Sequence, residues 1–180
     1  MHKILHSRRD FLKKSALFTA AIIIPQKGFS KSVNEKKLSF YNIHTGEFLE
    51  TAYWIEGKYI KEEVESINKI LRDYRTGEIK QIDIKLIDLL FDIKNILNKE
   101  KSFHIISGYR SPKTNAYLRK ISTGVAKKSF HMKGKAIDIY LPGIDLYMLR
   151  KAAMSLKKGG VGYYPKSHFV HVDTGPVRYW

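Results

Sequence analysis

The chain has 180 residues, a length that suits one domain built around a single hydrophobic core. It contains no cysteine, which excludes disulfides, Cys-ligated zinc, iron–sulfur clusters and thiol catalysis, so any metal must be held by His, Asp or Glu. The formal net charge of +16 favours an anionic partner such as nucleic acid, acidic phospholipid or an acidic wall polymer, without choosing among them.

The chain opens with MHKILHSRRDFLKKSALFTAAIIIPQKGFSKS. Lys3, Arg8, Arg9, Lys13, Lys14 and Lys27 against Asp10 give residues 1–30 a net +5, which leaves +11 for the rest. The apolar run 16–25 is short for a membrane span and has the length of a signal-peptide core. Ser7-Arg8-Arg9-Asp10, followed by Phe11-Leu12-Lys13, resembles the bacterial twin-arginine export signal; a basic amphipathic helix is the competing reading. Residues 1–30 are expected to form the signal, 31–36 a polar spacer and 37–180 one domain placed in the periplasm or cell envelope. Gly28-Phe29-Ser30 matches a cleavage site poorly, so the segment is either removed or kept as a membrane anchor.

Residues 37–45 and 48–55 read as two strands around the loop Thr45-Gly46-Glu47, with a short third strand at 58–60. Val64, Ile67, Ile70 and Leu71 have helical spacing within 61–74. Residues 82–97 form a stronger helix with a wide apolar arc, as expected of a central core element. A strand follows at 103–107. Pro112 suits the first turn of a helix running to about residue 120. Strand 136–141, helix 145–156 and a hairpin of 161–164 with 169–172 complete the chain. The expected fold class is α+β: a small, mostly antiparallel sheet with helices packed on it.

The chemistry concentrates in the C-terminal third. His44 has no acidic motif nearby, and His104 reads as a structural residue of its strand. Strand alternation puts Ala136, Asp138 and Tyr140 on one face and Ile137, Ile139 and Leu141 on the other. It likewise groups Phe169, His171 and Asp173 against His168, Val170 and Val172. Side by side, these strands bring Asp138 and His171 together, and His131 lies in the loop just before the first of them. A buried carboxylate needs a partner. A His/Asp/His set suits Zn²⁺ and leaves a fourth position open, as catalytic sites do. Any one of these residues alone is more simply a core or capping residue.

Here a resemblance enters. SFHMKGKAID is similar to the S-x-H-x-x-G-x-A-x-D motif of the LAS-type zinc peptidases, which include D-Ala-D-Ala carboxypeptidases and peptidoglycan endopeptidases. The exported YcbK-like branch of these peptidase M15-like enzymes is similar over LRDYRTGE, SGYRSPKTNAYLR, GVAKKSFHMKGKAIDI and GGVGYYPKSHFVHVDTGPVRYW, in that order. The resemblance covers roughly residues 37–180. It implies a zinc-peptidase fold, zinc on His131, Asp138 and His171, and hydrolysis of amide bonds in murein cross-links.

Further roles follow from it. Arg110 stands where relatives place an arginine near the scissile carbonyl, to stabilise an oxyanion or hold a carboxylate; a surface ion pair is the plainer role. Ser129 and Tyr109 are candidate substrate contacts, with Ser129 equally suited to capping its loop. Many relatives carry a glutamate base three residues before the last ligand, where this chain has His168. Asp173 shares the face of His171 and is either the base or a carboxylate that orients the histidine. The aromatics Tyr163, Tyr164, Tyr179 and Trp180 either line a groove or pack. The expected partner is peptidoglycan, with no nucleic acid, and the chain is expected to be a monomer. A non-catalytic basic wall-binding module and a D,D- or L,D-carboxypeptidase acting on stem peptides are the alternatives.

Overall fold

The computed structural model describes residues 34–180. The expected export signal, with His2 and His6, and residues 31–33 of the spacer lie outside the described residues. Strands β1 (Glu35–Asn42) and β2 (Phe48–Ile55) form the first hairpin, and β3 (Lys58–Tyr59) pairs with β2. β1 begins two residues before the expected 37, because Glu35 and Lys36 pair with Ile55 and Trp54. Helices α1 (Lys61–Ile70) and α2 (Ile84–Leu97) follow, then β4 (Phe103–Ser107) and α3 (Pro112–Ile121). The C-terminal part holds β5 (Ala136–Tyr140), α4 (Leu146–Ser155), β6 (Gly160–Tyr164), β7 (Phe169–Asp173) and β8 (Arg178–Tyr179).

The fold is α+β, as expected, but the sheet is neither small nor uniform. Among the described residues it has eight strands in the order β3-β2-β1-β4-β5-β7-β6-β8. Most pairs are antiparallel, whereas β1 with β4 and β6 with β8 run parallel. The β1–β4 pair joins the N-terminal hairpin to the sheet that carries the histidines, so both form one surface. β8 was not anticipated; two residues are too few to show an alternation.

Burial follows the alternation read from sequence. Ile137, Ile139, Val170 and Val172 are fully buried on the face that packs towards the helices. α2 supplies the buried Leu86, Ile87, Leu89, Leu90 and Ile93, which makes it the central core helix that its wide apolar arc predicts. It starts where the Asp83 carboxylate accepts the Lys85 N–H and ends at Asn98 in the left-handed region. α1 ends at Ile70, short of the predicted 74, because the next residues bond elsewhere. The Leu71 carbonyl accepts the Tyr109 N–H at 2.8 Å, and the Asp73 carboxylate accepts Ser111 N–H at 2.8 Å and Arg75 N–H at 3.0 Å.

Candidate metal centre

β5 and β7 pair antiparallel with Asp138 directly opposite His171. Both project from the face opposite the isoleucines. His131 comes from a 3-10 turn, Phe130–Lys133, packed against β5. The turn is capped by Ser129, whose Oγ accepts the His131 N–H at 3.3 Å, and it ends at Gly134 in the left-handed region. The three side chains meet as the strand alternation predicts. His131 Nε2 lies 3.2 Å from both His171 Nδ1 and Asp138 Oδ1, and His171 Nδ1 lies 2.8 Å from Asp138 Oδ1. His131 and Asp138 are buried, and His171 is partly so.

The outward side of each ring fixes what points inward. His131 Nδ1 sits 2.7 Å from the Gly108 carbonyl, which can only accept, so Nδ1 carries the proton and Nε2 presents its lone pair to the centre. His171 Nε2 donates to Asp173 Oδ2 at 3.0 Å, which turns Nδ1 inward. This is how metal-binding imidazoles are held, with the second nitrogen tied to a carbonyl or carboxylate. Three electron-pair donors then face one another with only positive charge able to reconcile them.

The titration behaviour says the same. Burial pushes the His131 ring down, although Asp138 opposes it. Burial pulls the His171 ring down too, yet its bonds to Asp138 and Asp173 push it up to about 9. Asp138 is raised by burial but held far below the usual carboxylate range by His131 and His171. A proton on His171 is one way to supply the charge. A divalent ion is another, and it satisfies His131 as well. A tetrahedral ion with bonds of about 2.0–2.1 Å separates its ligands by about 3.3 Å, close to the spacings found here. The donor set therefore fits a small borderline-soft cation.

Arg110 reaches the same atoms. Its Nη2 donates to Asp138 Oδ2 at 2.5 Å and to His131 Nε2 at 3.2 Å, while Nε donates to Ser107 Oγ at 2.8 Å. The predicted site arginine thus abuts the ligand atoms and is no surface ion pair. Gly108 makes this possible. A Cβ there would sit 2.4 Å from the Leu71 carbonyl oxygen, so only glycine lets segment 108–111 lie against the end of α1.

Other expectations come out differently. Asp173 is fully buried behind His171 and accepts from Arg178 Nη2 at 2.7 Å, Arg178 Nη1 at 3.1 Å, Gly160 N–H at 3.2 Å and Gly175 N–H at 2.8 Å as well as from His171. With both oxygens engaged and no exposure, it orients His171 and is not placed to take a proton in the cleft. Burial raises its carboxyl, and the His171 and Arg178 bonds more than reverse that. His168 does not join the cluster. It caps the turn between β6 and β7 at φ 54°, is exposed, and packs on the Tyr140 ring, one pleat along β5 from Asp138. β7 begins at Phe169, as predicted, and the left-handed backbone at 168 removes His168 from the face that alternation assigned to it. Tyr109 is buried in the core and does not line the cleft, so it is not placed as a substrate contact.

Two contributors were missed. Arg178 neutralises Asp173 from an unpredicted strand. Asp73 is buried and, through Ser111 N–H, pins the start of α3 next to Arg110.

The centre opens into a cleft of about 400 Å³ between segment 122–130 and the wall formed by Tyr164, Phe169 and Trp180. Ser129 lines it, as do Lys128 and Arg178. Asp138 is the one carboxylate among the described residues that line it.

Residues 30–180 match the model of a family described as peptidoglycan L,D-endopeptidase MepK. The chain is 44% identical over 182 residues to the peptidoglycan L,D-endopeptidase MepK of Escherichia coli (strain K12), covering 100% of both chains, and equally so to that of Shigella flexneri. It is 37% identical over 183 residues to the probable peptidoglycan L,D-endopeptidase MepK of Haemophilus influenzae, covering 100% of this chain and 98% of that one. No solved structure matches.

Proposed function

The chain belongs to the peptidoglycan L,D-endopeptidase MepK family, and from that premise we propose that it is a zinc-dependent hydrolase of amide bonds in the peptide cross-links of murein. The observation that carries the reading is the convergence of His131 Nε2, Asp138 Oδ1 and His171 Nδ1, each ring fixed from behind by an acceptor. The names of the relatives support an L,D bond as the one cleaved.

In this reading His131, Asp138 and His171 hold Zn²⁺. Bound there, Zn²⁺ would supply the Lewis acidity that lowers the pKa of a water molecule and polarises an amide carbonyl. Gly108 and Asp173 keep the two imidazoles turned inward, and Arg178 keeps Asp173 ionised. Arg110, with its guanidinium against the ligand atoms, is the donor placed to stabilise negative charge that develops on the carbonyl oxygen. Lys128 brings positive charge to the cleft rim, which suits a substrate bearing free carboxylates.

Placement in the cell envelope by the twin-arginine route belongs to the same proposal. Its support is SRRDFLK followed by an apolar run, together with a murein substrate that lies outside the cytoplasmic membrane.

Mass spectrometry of purified murein digests, with and without chelator, tests the reading. Cross-linked dimers should give way to monomers, and the activity should vanish with chelator and return with zinc. Murein that binds the protein but releases no new fragments would instead show a wall-binding module. Release of terminal residues alone would show a carboxypeptidase.

A further inference from the structure

The aromatic wall of the cleft has a built arrangement that the metal centre does not require. Tyr164 and Phe169 stack with ring centroids 4.6 Å apart. The Trp180 ring lies 5.4 Å from that of His171. It can do so because its neighbour on β6 is Gly162, the register partner of His171: a Cβ at 162 would come within 2.7–2.8 Å of the indole. Backbone bonds hold residue 180 in place. Its N–H donates to the Val161 carbonyl at 3.2 Å and its carbonyl accepts the Tyr163 N–H at 2.9 Å.

Donor accounting then assigns a direction to one hydroxyl. An indole N–H is a donor only. Trp180 Nε1 donates to Tyr164 Oη at 2.7 Å, so the tyrosine oxygen is the acceptor of that bond. The Tyr164 proton has no acceptor of its own among the described residues. A phenol on the lining of a cleft, with its oxygen already engaged, offers its proton to whatever enters. The rings beside it offer flat apolar area at little entropic cost.

We propose that Tyr164, held by Trp180, is a substrate-binding residue that donates a hydrogen bond to a carbonyl of the murein peptide, while Phe169 and Trp180 pack on the peptide's aliphatic part. The proposal rests on the reading that the substrate is a peptide cross-link. It assigns to this wall the register of the peptide relative to the metal centre, a task distinct from the chemistry at the ion.

Steady-state cleavage of a purified soluble muropeptide dimer tests it. Tyr164→Phe removes one oxygen and keeps the stack with Phe169. One neutral hydrogen bond corresponds to a KM raised roughly two- to tenfold, with kcat within about twofold. Trp180→Phe should raise KM in the same direction, because the hydroxyl loses its orienting donor. A second readout needs no turnover. The chain has two tryptophans, so Trp54→Phe leaves Trp180 as the sole indole reporter. Titration with the dimer should change its emission to saturation, with a midpoint that shifts on adding Tyr164→Phe by the factor seen in KM. Cleavage by the wild type with KM and midpoint unchanged in Tyr164→Phe would overturn the proposal and leave the enzymatic reading standing. A saturable, Tyr164-sensitive titration without cleavage would support the wall and overturn the enzymatic reading. A dimer that is neither cleaved nor felt by Trp180 would overturn both.

Discussion

Replacing Asp173 by Asn separates the two roles its sequence position allows. The side chains are nearly isosteric, but the amide has one acceptor oxygen where the carboxylate has two. Gly160 and Gly175 present backbone donors to Oδ1, and these cannot turn away. The amide oxygen therefore stays on that side, and the NH₂ faces His171 Nε2 and Arg178 Nη2, which now meet on Oδ2. His171 loses the acceptor that fixes its tautomer, and its proton becomes free to occupy Nδ1, the atom turned towards Asp138. Loss of such an outer partner typically weakens metal binding ten- to hundredfold, or about 1.4–2.8 kcal/mol. Competition against a chromophoric chelator at fixed pH should show that loss for zinc, with most turnover restored at saturating zinc. If zinc affinity is unchanged while saturated turnover falls by roughly 10²–10⁴-fold, Asp173 handles the proton itself and the geometric reasoning fails.

Three further expectations follow from the same contacts. Gly108→Ala forces a Cβ against the Leu71 carbonyl at 2.4 Å, so it should cost about 1–3 kcal/mol in urea unfolding and also weaken zinc binding, because the Gly108 carbonyl holds His131. His168→Ala should leave turnover within about twofold and stability within about 0.5 kcal/mol, since the ring is exposed and touches Tyr140 and not the ligands; loss of turnover would restore it as a proton carrier. Burial raises the carboxyl of Asp88, but bonds from Lys36, Tyr59 and Tyr53 bring it below its ordinary value. A depressed carboxyl contributes stability above its unfolded pKa of about 3.9, and that contribution is lost as pH falls through the lower folded value. The wild type should therefore lose urea resistance below about pH 4, and Asp88→Asn should start lower and change less over that range.

The candidate metal centre is legible in the sequence because strand alternation marks its residues. In AIDIYL and FVHVD the period of two assigns faces unambiguously, and a carboxylate on a strand otherwise rich in isoleucine is conspicuous. The pairing of Asp138 with His171 is one of the registers those faces allow, and it is the one the structure adopts. The contributors that were missed lack such contrast. Asp73 binds Ser111 across 38 residues from a loop where an aspartate is unremarkable, and the same bonds end α1 at Ile70, four residues before the predicted limit of 74. Arg178 sits on a two-residue strand with no period to read. His168 was assigned a face on the assumption that its backbone is extended, and a positive φ cancels that assignment. Asp173 shows the limit most sharply. Alternation places it on the face of His171, and that is correct. What decides its role is the number of donors around each oxygen, and four of those five donors come from Gly160, Gly175 and Arg178. A periodic pattern can bring a carboxylate to a site, but only the surrounding count of N–H groups separates one that moves protons from one that holds a ring still.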